Sequence, residues 1–172
     1  IEPGATLQGT IEIRPSATLP REGEIERFEL FVEEQRQSEC PPDGTLTYNT
    51  AQLGDGHHKL RVVAVAKGPA ASQGRAIIPV VTANHGRTIE TELIAAGSLS
   101  PLKPIVLKVD APRASAVIVL HNSQLVGKLG GPSGEIQVDP ARLGRGPVRL
   151  RVVGIAAQPT DYTWAKPIDL RL

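Results

Sequence analysis

The chain has a single cysteine, no methionine, few aromatic rings and no excess of charge of either sign. Each shortage excludes something. Cys40 cannot close an internal disulfide, so the fold must be held by packing, and one thiol fixes no redox compartment. Aromatics make up 3% of the residues, namely Phe28, Phe31, Tyr48, Tyr162 and Trp164, which leaves the core to Val, Ile, Leu and Ala. A formal net charge of +1, with acids and bases interspersed, offers no broad positive field for nucleic acid and no acidic face for polycations. No apolar run approaches the roughly 18 residues that span a bilayer, and no charged-then-apolar leader is visible. Beginning at Ile1 and lacking methionine, the chain reads as an excised fragment whose signal or anchor would lie on another part.

What is present points to β structure. The length of 172 residues suits one large domain or two small ones, and an apolar fraction of 40% suffices for a packed core. Seventeen glycines and fifteen prolines supply turn-makers between short segments. A repeat is also visible. Leu53-Gly54-Asp55-Gly56-His57-His58-Lys59-Leu60-Arg61-Val62-Val63-Ala64 aligns without gaps on Leu143-Gly144-Arg145-Gly146-Pro147-Val148-Arg149-Leu150-Arg151-Val152-Val153-Gly154, an offset of 90 residues with seven of twelve positions identical. The same offset places Phe28-Glu29-Leu30 on Ile118-Val119-Leu120, and Thr47-Tyr48-Asn49-Thr50 on Gln137-Val138-Asp139-Pro140.

Period-two alternation supplies about five strands per copy. In the first copy the inward series are Ile11 and Ile13, then Phe28, Leu30 and Val32, then Leu46 and Tyr48, then Leu60, Val62 and Ala64. The run Ala76–Val81 closes that copy, its Pro79 suggesting an edge strand. In the second they are Ile105, Leu107 and Val109, then Val117–Leu120, Ile136 and Val138, Val148, Leu150 and Val152, and finally Ile168, Leu170 and Leu172. Thr88–Ile94 is expected to open the second copy, while the equivalent strand of the first is short or cut away. No window long enough for a helix escapes its Gly and Pro. Two sheets with one apolar face each must pack face to face. The expected fold class is therefore all-β, as two tandem immunoglobulin-like antiparallel sandwiches, over residues 1–84 and 85–172.

The stretches Phe28–Glu34, Thr45–Thr50 and Leu53–Ala64 together resemble bacterial immunoglobulin-like or fibronectin-III-like modules, which often read V-x-F-Y-V-D-G, then W-D-T, then L-x-D-G-x-H-x-L-x-V-x-A. On that resemblance Asp55-Gly56 makes a tight turn and Leu60, Val62 and Ala64 point inward along the following strand. The second copy departs from the pattern, with Arg145 at the turn Asp, Pro147 at the first His, and His121-Asn122 at the strand end. The resemblance implies a non-enzymatic spacer, stalk, adhesive or substrate-positioning role and an extracytoplasmic setting.

The residues that carry chemistry elsewhere are weighed against plainer uses. His57 and His58 are adjacent, so on a strand they face opposite ways and cannot share a metal; His85 and His121 lie far off, and no spacing matches a zinc site. Cys40, in Ser38-Glu39-Cys40-Pro41-Pro42, is expected in a loop, where catalysis would need a His partner and a shielded pocket. Gly130-Gly131-Pro132-Ser133-Gly134 reads as a hairpin connection rather than a nucleophile elbow. Asp43, Asp55, Asp110 and Asp139 are the acids nearest predicted turns and match no EF-hand pattern. Arg142, Arg145, Arg149 and Arg151 form the densest basic cluster, read as a solvated strand face with edge protection as a second use. Tyr162 and Trp164 fall on one strand face and are the candidate ligand-stacking pair, with core packing as the plainer alternative.

The expectation is a structural or interaction module of a larger secreted or envelope bacterial protein. It has no catalytic residue, metal or cofactor. Its partners are other domains of the same parent chain or another protein, with neither nucleic acid nor membrane insertion. A carbohydrate-binding or adhesive module working through Tyr162 and Trp164 is the alternative, and an accessory fragment of an enzyme whose catalytic domain is absent is the third reading.

Overall fold

The computed structural model describes residues 1–19, 23–68, 71–94, 103–156 and 161–172, and among them the chain is all-β, without an α-helix. Its contacts divide into two compact units: Ile1–Leu53 with His58–Asn84, and Gly54–His57 with His85–Leu172.

The first unit runs β1 (Thr6–Leu7), β2 (Thr10–Ile13), β3 (Ile25–Val32), β4 (Gln35–Cys40), β5 (Leu46–Asn49), β6 (Asp55–Ala66, of which Asp55, Gly56 and His57 belong to the second unit) and β7 (Gln73–Thr82). One sheet pairs β2 with β5; the other is ordered β4-β3-β6-β7-β1. Leu7, Ile13, Phe28, Leu30, Val32, Cys40, Leu46, Tyr48, Leu60, Val62 and Val80 are buried together as its core. The alternation of apolar side chains explains this directly, because every second residue of a strand faces the opposite sheet.

The second unit runs β8 (Glu90–Leu93), β9 (Ile105–Asp110), β10 (Ala116–His121), β11 (Gln124–Leu129), β12 (Ser133–Val138), β13 (Pro147–Ile155), β14 (Tyr162–Trp164) and β15 (Ile168–Arg171). Its sheets are β8-β9-β12 and β11-β10-β13, with β14 and β15 both pairing to β13. Ile105, Leu107, Val109, Val117, Val119, Ile136, Val138, Val148, Leu150 and Val152 fill the space between them. Because β14 and β15 pair with successive parts of β13 and so fill one strand position between them, three positions face four, the arrangement of the immunoglobulin-like and fibronectin-III-like sandwiches.

The repeat holds best around the connection before β6 and β13. Thr50–Gln52 and Pro140–Arg142 are both one-turn 3-10 segments. Asn49 Oδ1 accepts the Ala51 amide at 3.0 Å, and Asp139 Oδ1 accepts the Ala141 amide at 2.9 Å. The offset is 90 at each of these positions. It fails in β3 and β10. Leu30 stands opposite Val62, whereas Val119 stands opposite Val152, so the true offset there is 89. Phe28-Glu29-Leu30 therefore matches Val117-Ile118-Val119, not Ile118-Val119-Leu120. A slip of one residue exchanges the two faces of a strand, and the burial of Val117 and Val119 fixes the choice. The bulges after Leu30 and after Val119 obey the same offset of 89, as do the two-residue turns Glu33-Glu34 and Asn122-Ser123, all four at positive φ.

Several local expectations are corrected. Five strands per copy is too few, because the polar β4 and the short β1 of the first unit, and β11 of the second, carry weak alternation. Cys40 is not in a loop; it ends β4 opposite Phe28 and is buried. Asp55-Gly56 is not a tight turn but the start of β6. Gly130–Gly134 joins strands of different sheets rather than a hairpin. β7, with Pro79, is not outermost, since Thr6 and Leu7 of β1 pair with Val81 and Thr82. The opening strand of the second unit forms as β8, antiparallel to β9; the first unit opens with the two-residue β1, which instead runs parallel to β7 in the other sheet, so it is not the counterpart of β8.

Candidate functional site

The candidate pair Tyr162 and Trp164 lies in the second unit, and the backbone around it explains its placement. Thr163 and Trp164 run parallel to Asp55 and Gly56. Asp55 is fully buried, and its carboxylate accepts the backbone amides of His85, at 3.0 and 3.1 Å, and Arg87, at 2.7 Å. A buried carboxylate requires such partners, since an unsatisfied one is strongly disfavoured. Gly56 has φ +106°, and a Cβ there would stand 2.0 Å from the Trp164 carbonyl oxygen. The residue is glycine for close approach to β14, not for a turn. Arg87 donates to Asp161, which that hydrogen bond holds below the ordinary carboxylate range, while the guanidinium is raised in return.

The two rings do not form a flat platform. Their centroids are 6.0 Å apart at 75°, an edge-to-face contact, and the Arg151 guanidinium lies 3.9 Å from the Trp164 ring centroid. Both aromatic residues are half-buried. Strand registers extend the face beyond them. Trp164, Val153, Ile118 and Lys128 stand side by side across four strands, and Arg151, Leu120 and Leu125 form the adjacent row. That outward face is apolar with two cations.

The corresponding face of the first unit is built from charge. Glu29, buried despite its outward position, accepts Arg27 Nε at 2.8 Å and Arg36 at 3.4 Å, and Arg36 also reaches Glu39 at 3.0 Å. Arg61 covers Phe31 at 4.4 Å and reaches Glu34 at 3.2 Å. His58 is buried, its Nδ1 2.9 Å from Glu33 Oε1, which ties down a turn residue held at positive φ; His57 is half-exposed. No alternation rule signals the burial of Glu29, whose neighbours Arg27 and Phe31 read as a solvated face.

Among the described residues no three of His, Cys, Asp or Glu group as a metal site. The acids Asp43, Asp110 and Asp139 stand apart, with Asp139 engaged as a cap. Burial, and then Asp43, push the Cys40 thiol up, the opposite of what a nucleophile needs. Arg149 makes a bidentate pair with Asp169 at 2.6 and 2.8 Å, and Arg142 donates to the carbonyls of Leu125 at 2.7 Å and Val126 at 3.5 Å. A recess in the second unit, lined by Arg87, Arg113, Ala111 and Thr163 among others, has room for about one water, far below the roughly 300 Å³ at which small-molecule pockets begin. Among the described residues no helix is long and apolar enough to cross a membrane.

No family model matches the chain, and no curated protein matches it. Among solved structures it is similar to the fibronectin(III)-like modules of CbhA from Clostridium thermocellum, at 16% identity over 98% of this chain and 87% of that one, with a TM-score of 0.39. It is also similar to SGBP-B of the Bacteroides ovatus mixed-linkage glucan utilization locus, solved with a mixed-linkage heptasaccharide. There the identity is 14% over 98% of this chain and 42% of that one, with a TM-score of 0.49. A Ca2+-stabilized adhesin of an Antarctic bacterium that binds ice matches at 12% identity over 94% and 42%, with a TM-score of 0.30. Likeness at this level assigns no function.

Proposed function

We propose that the chain is a non-catalytic pair of tandem sandwich modules, residues 1–84 and 85–172, serving to space, present or bind other domains of a larger secreted or envelope bacterial protein, or another protein. The observation that carries this reading is the double construction. Each unit has its own buried core, and the same turn, bulge, 3-10 segment and capping side chain recur at matched positions. A repeated self-supporting unit is a means of extending a chain by fixed steps. The outer faces have diverged, one charged and one apolar, so any binding differs between the two.

That divergence favours one alternative. Tyr162 and Trp164, half-exposed beside Arg151, are the residues through which a carbohydrate or adhesive ligand would bind. Trp164 is the sole tryptophan, so its fluorescence separates the readings. Titration with a panel of soluble neutral and acidic polysaccharides leaves the emission unchanged if the modules are spacers. A saturable change, lost in Tyr162→Ala, replaces the spacer reading with the carbohydrate one.

A further inference from the structure

The two units carry the same face in two chemical states. The outward positions of β3, β4 and β6 correspond, through the offsets of 89 and 90, to those of β10, β11 and β13, and the cross-strand pairs agree. Glu29 stands opposite Glu39, and Ile118 opposite Lys128; Phe31 lies between Arg36 and Arg61, and Leu120 between Leu125 and Arg151. In the first unit the face is closed by its own charges, with Glu29 between Arg27 and Arg36, Arg36 on Glu39, and Arg61 on Glu34. In the second, Ala116 stands at the position of Arg27, Ile118 at Glu29, Leu125 at Arg36, Lys128 at Glu39 and Ser123 at Glu34. Every acid of the network is replaced, while Lys128 and Arg151 leave the face cationic.

What remains is largely apolar. Ile118, Leu120 and Trp164 are half-buried and Leu125 is 46% exposed, with Tyr162 edge-on to Trp164 and the Arg151 guanidinium over its ring. Contiguous apolar area rimmed by polar groups marks interaction sites, and clustered Trp, Tyr and Arg are the residues on which interfaces concentrate their energy. Charge and chemistry then decide the occupant. Loss of the acids with retention of two cations calls for a partner that brings carboxylates. A second copy does not fit, because a two-fold contact of this face with itself sets cation against cation with no acid at these positions on either side. A polysaccharide fits poorly, because Ile118, Leu120 and Leu125 offer sugar hydroxyls no hydrogen-bond partner and the guanidinium already covers one side of the Trp164 ring.

We infer that the outward face of β10, β11, β13 and β14 docks an acidic protein surface, whose apolar centre covers Leu120, Leu125 and Trp164 and whose carboxylates meet Lys128 and Arg151. This rests on the protein-binding part of the role proposed above and assigns it to the second unit.

The test is selection of a phage-displayed random peptide library on the whole chain, followed by titration of the synthesised winning peptides against Trp164 emission. The winners combine Asp or Glu with apolar residues, and their binding weakens as salt is raised. Lys128→Glu weakens it by about tenfold or more, and Leu125→Ser severalfold; Arg36→Ser, at the position of the first unit that matches Leu125, leaves it unchanged. Lys128 and Leu125 are exposed, and an unchanged urea midpoint shows each variant folded; should Lys128→Glu fail this, Lys128→Gln is read in its place. Winners without acids, affinity indifferent to the charge at Lys128, or no enrichment over a bare support overturns the inference and leaves the spacer role standing. A Trp164 response to polygalacturonate and to no peptide overturns both in favour of a carbohydrate.

Discussion

Gly56 and Gly146 have nearly the same backbone, φ +106° and +105°, and occupy matched positions 90 residues apart, but their surroundings differ. A Cβ at Gly146 meets nothing within 4 Å, whereas one at Gly56 meets the Trp164 carbonyl oxygen at 2.0 Å and its backbone nitrogen at 2.8 Å. Replacing each by alanine therefore separates two costs. Both variants carry the penalty of a side chain at positive φ, about 1–2 kcal/mol. Only Gly56→Ala must also push β14 away by more than about 1 Å to reach ordinary contact distance. That parts Asp55 and Gly56 from Thr163 and Trp164. With each buried hydrogen bond left unmade costing about 1–3 kcal/mol, the added loss is about 2–4 kcal/mol. Both glycines belong to the second unit, so urea unfolding followed by Trp164 fluorescence reports on both. The expected order is wild type, then Gly146→Ala, then Gly56→Ala by a clear margin. Equal destabilisation of the two variants, within about 0.5 kcal/mol, would refute the close-approach argument.

Three further outcomes follow from particular contacts. Asn49→Ala and Asp139→Ala each remove the acceptor for the amide two residues on and should cost about 0.5–2 kcal/mol in urea unfolding; Gln37→Ala, on exposed β4, serves as a neutral control. Asp161 is held below its ordinary value of 3.8 by Arg87, so its folded form binds fewer protons than its unfolded form near that pH. Its contribution is complete above about pH 5 and is lost as pH falls through 3.8 toward the lowered value. Asp161→Asn should accordingly flatten the acid limb of a thermal-stability profile between about pH 5 and 3, and an unchanged limb would contradict the pairing. Burial of Cys40 predicts slow reaction with a disulfide reagent at pH 8 in the native chain and fast reaction in urea; native reaction at the rate of a free thiol would place Cys40 at the surface.

The all-β class and most of the core were legible because alternation maps onto burial residue by residue: Phe28, Leu30, Leu46, Leu60, Leu107, Leu150 and Val152 all read inward and are inward. The strands missed were those without that signal. β4 is polar on both faces, β1 is two residues long, and β11, Gln-Leu-Val-Gly-Lys-Leu, has its alternation broken by adjacent Leu125 and Val126 at the bulge. The alignment slip in β10 arose because Val117-Ile118-Val119-Leu120 is apolar throughout, so its faces cannot be told apart without the opposing strand. Glycine misled at Gly56, where the sequence Asp-Gly suits a turn but the backbone of β14 supplies a different reason for it. The side-chain contacts of Arg142 and Glu29 depend on strands brought together by the fold, and no local spacing announces them. The rings of Tyr162 and Trp164 were placed on one strand from the sequence; their edge-to-face angle and the Arg151 contact were not readable there.

Pulling the chain end to end by single-molecule force spectroscopy tests the central claim of two self-contained sandwiches most directly. Two separate unfolding events are predicted, each lengthening the chain by about 280–320 Å, as expected for about 80–90 residues at roughly 3.5 Å apiece. A single event releasing about 600 Å would contradict it, showing one cooperative body in place of two modules.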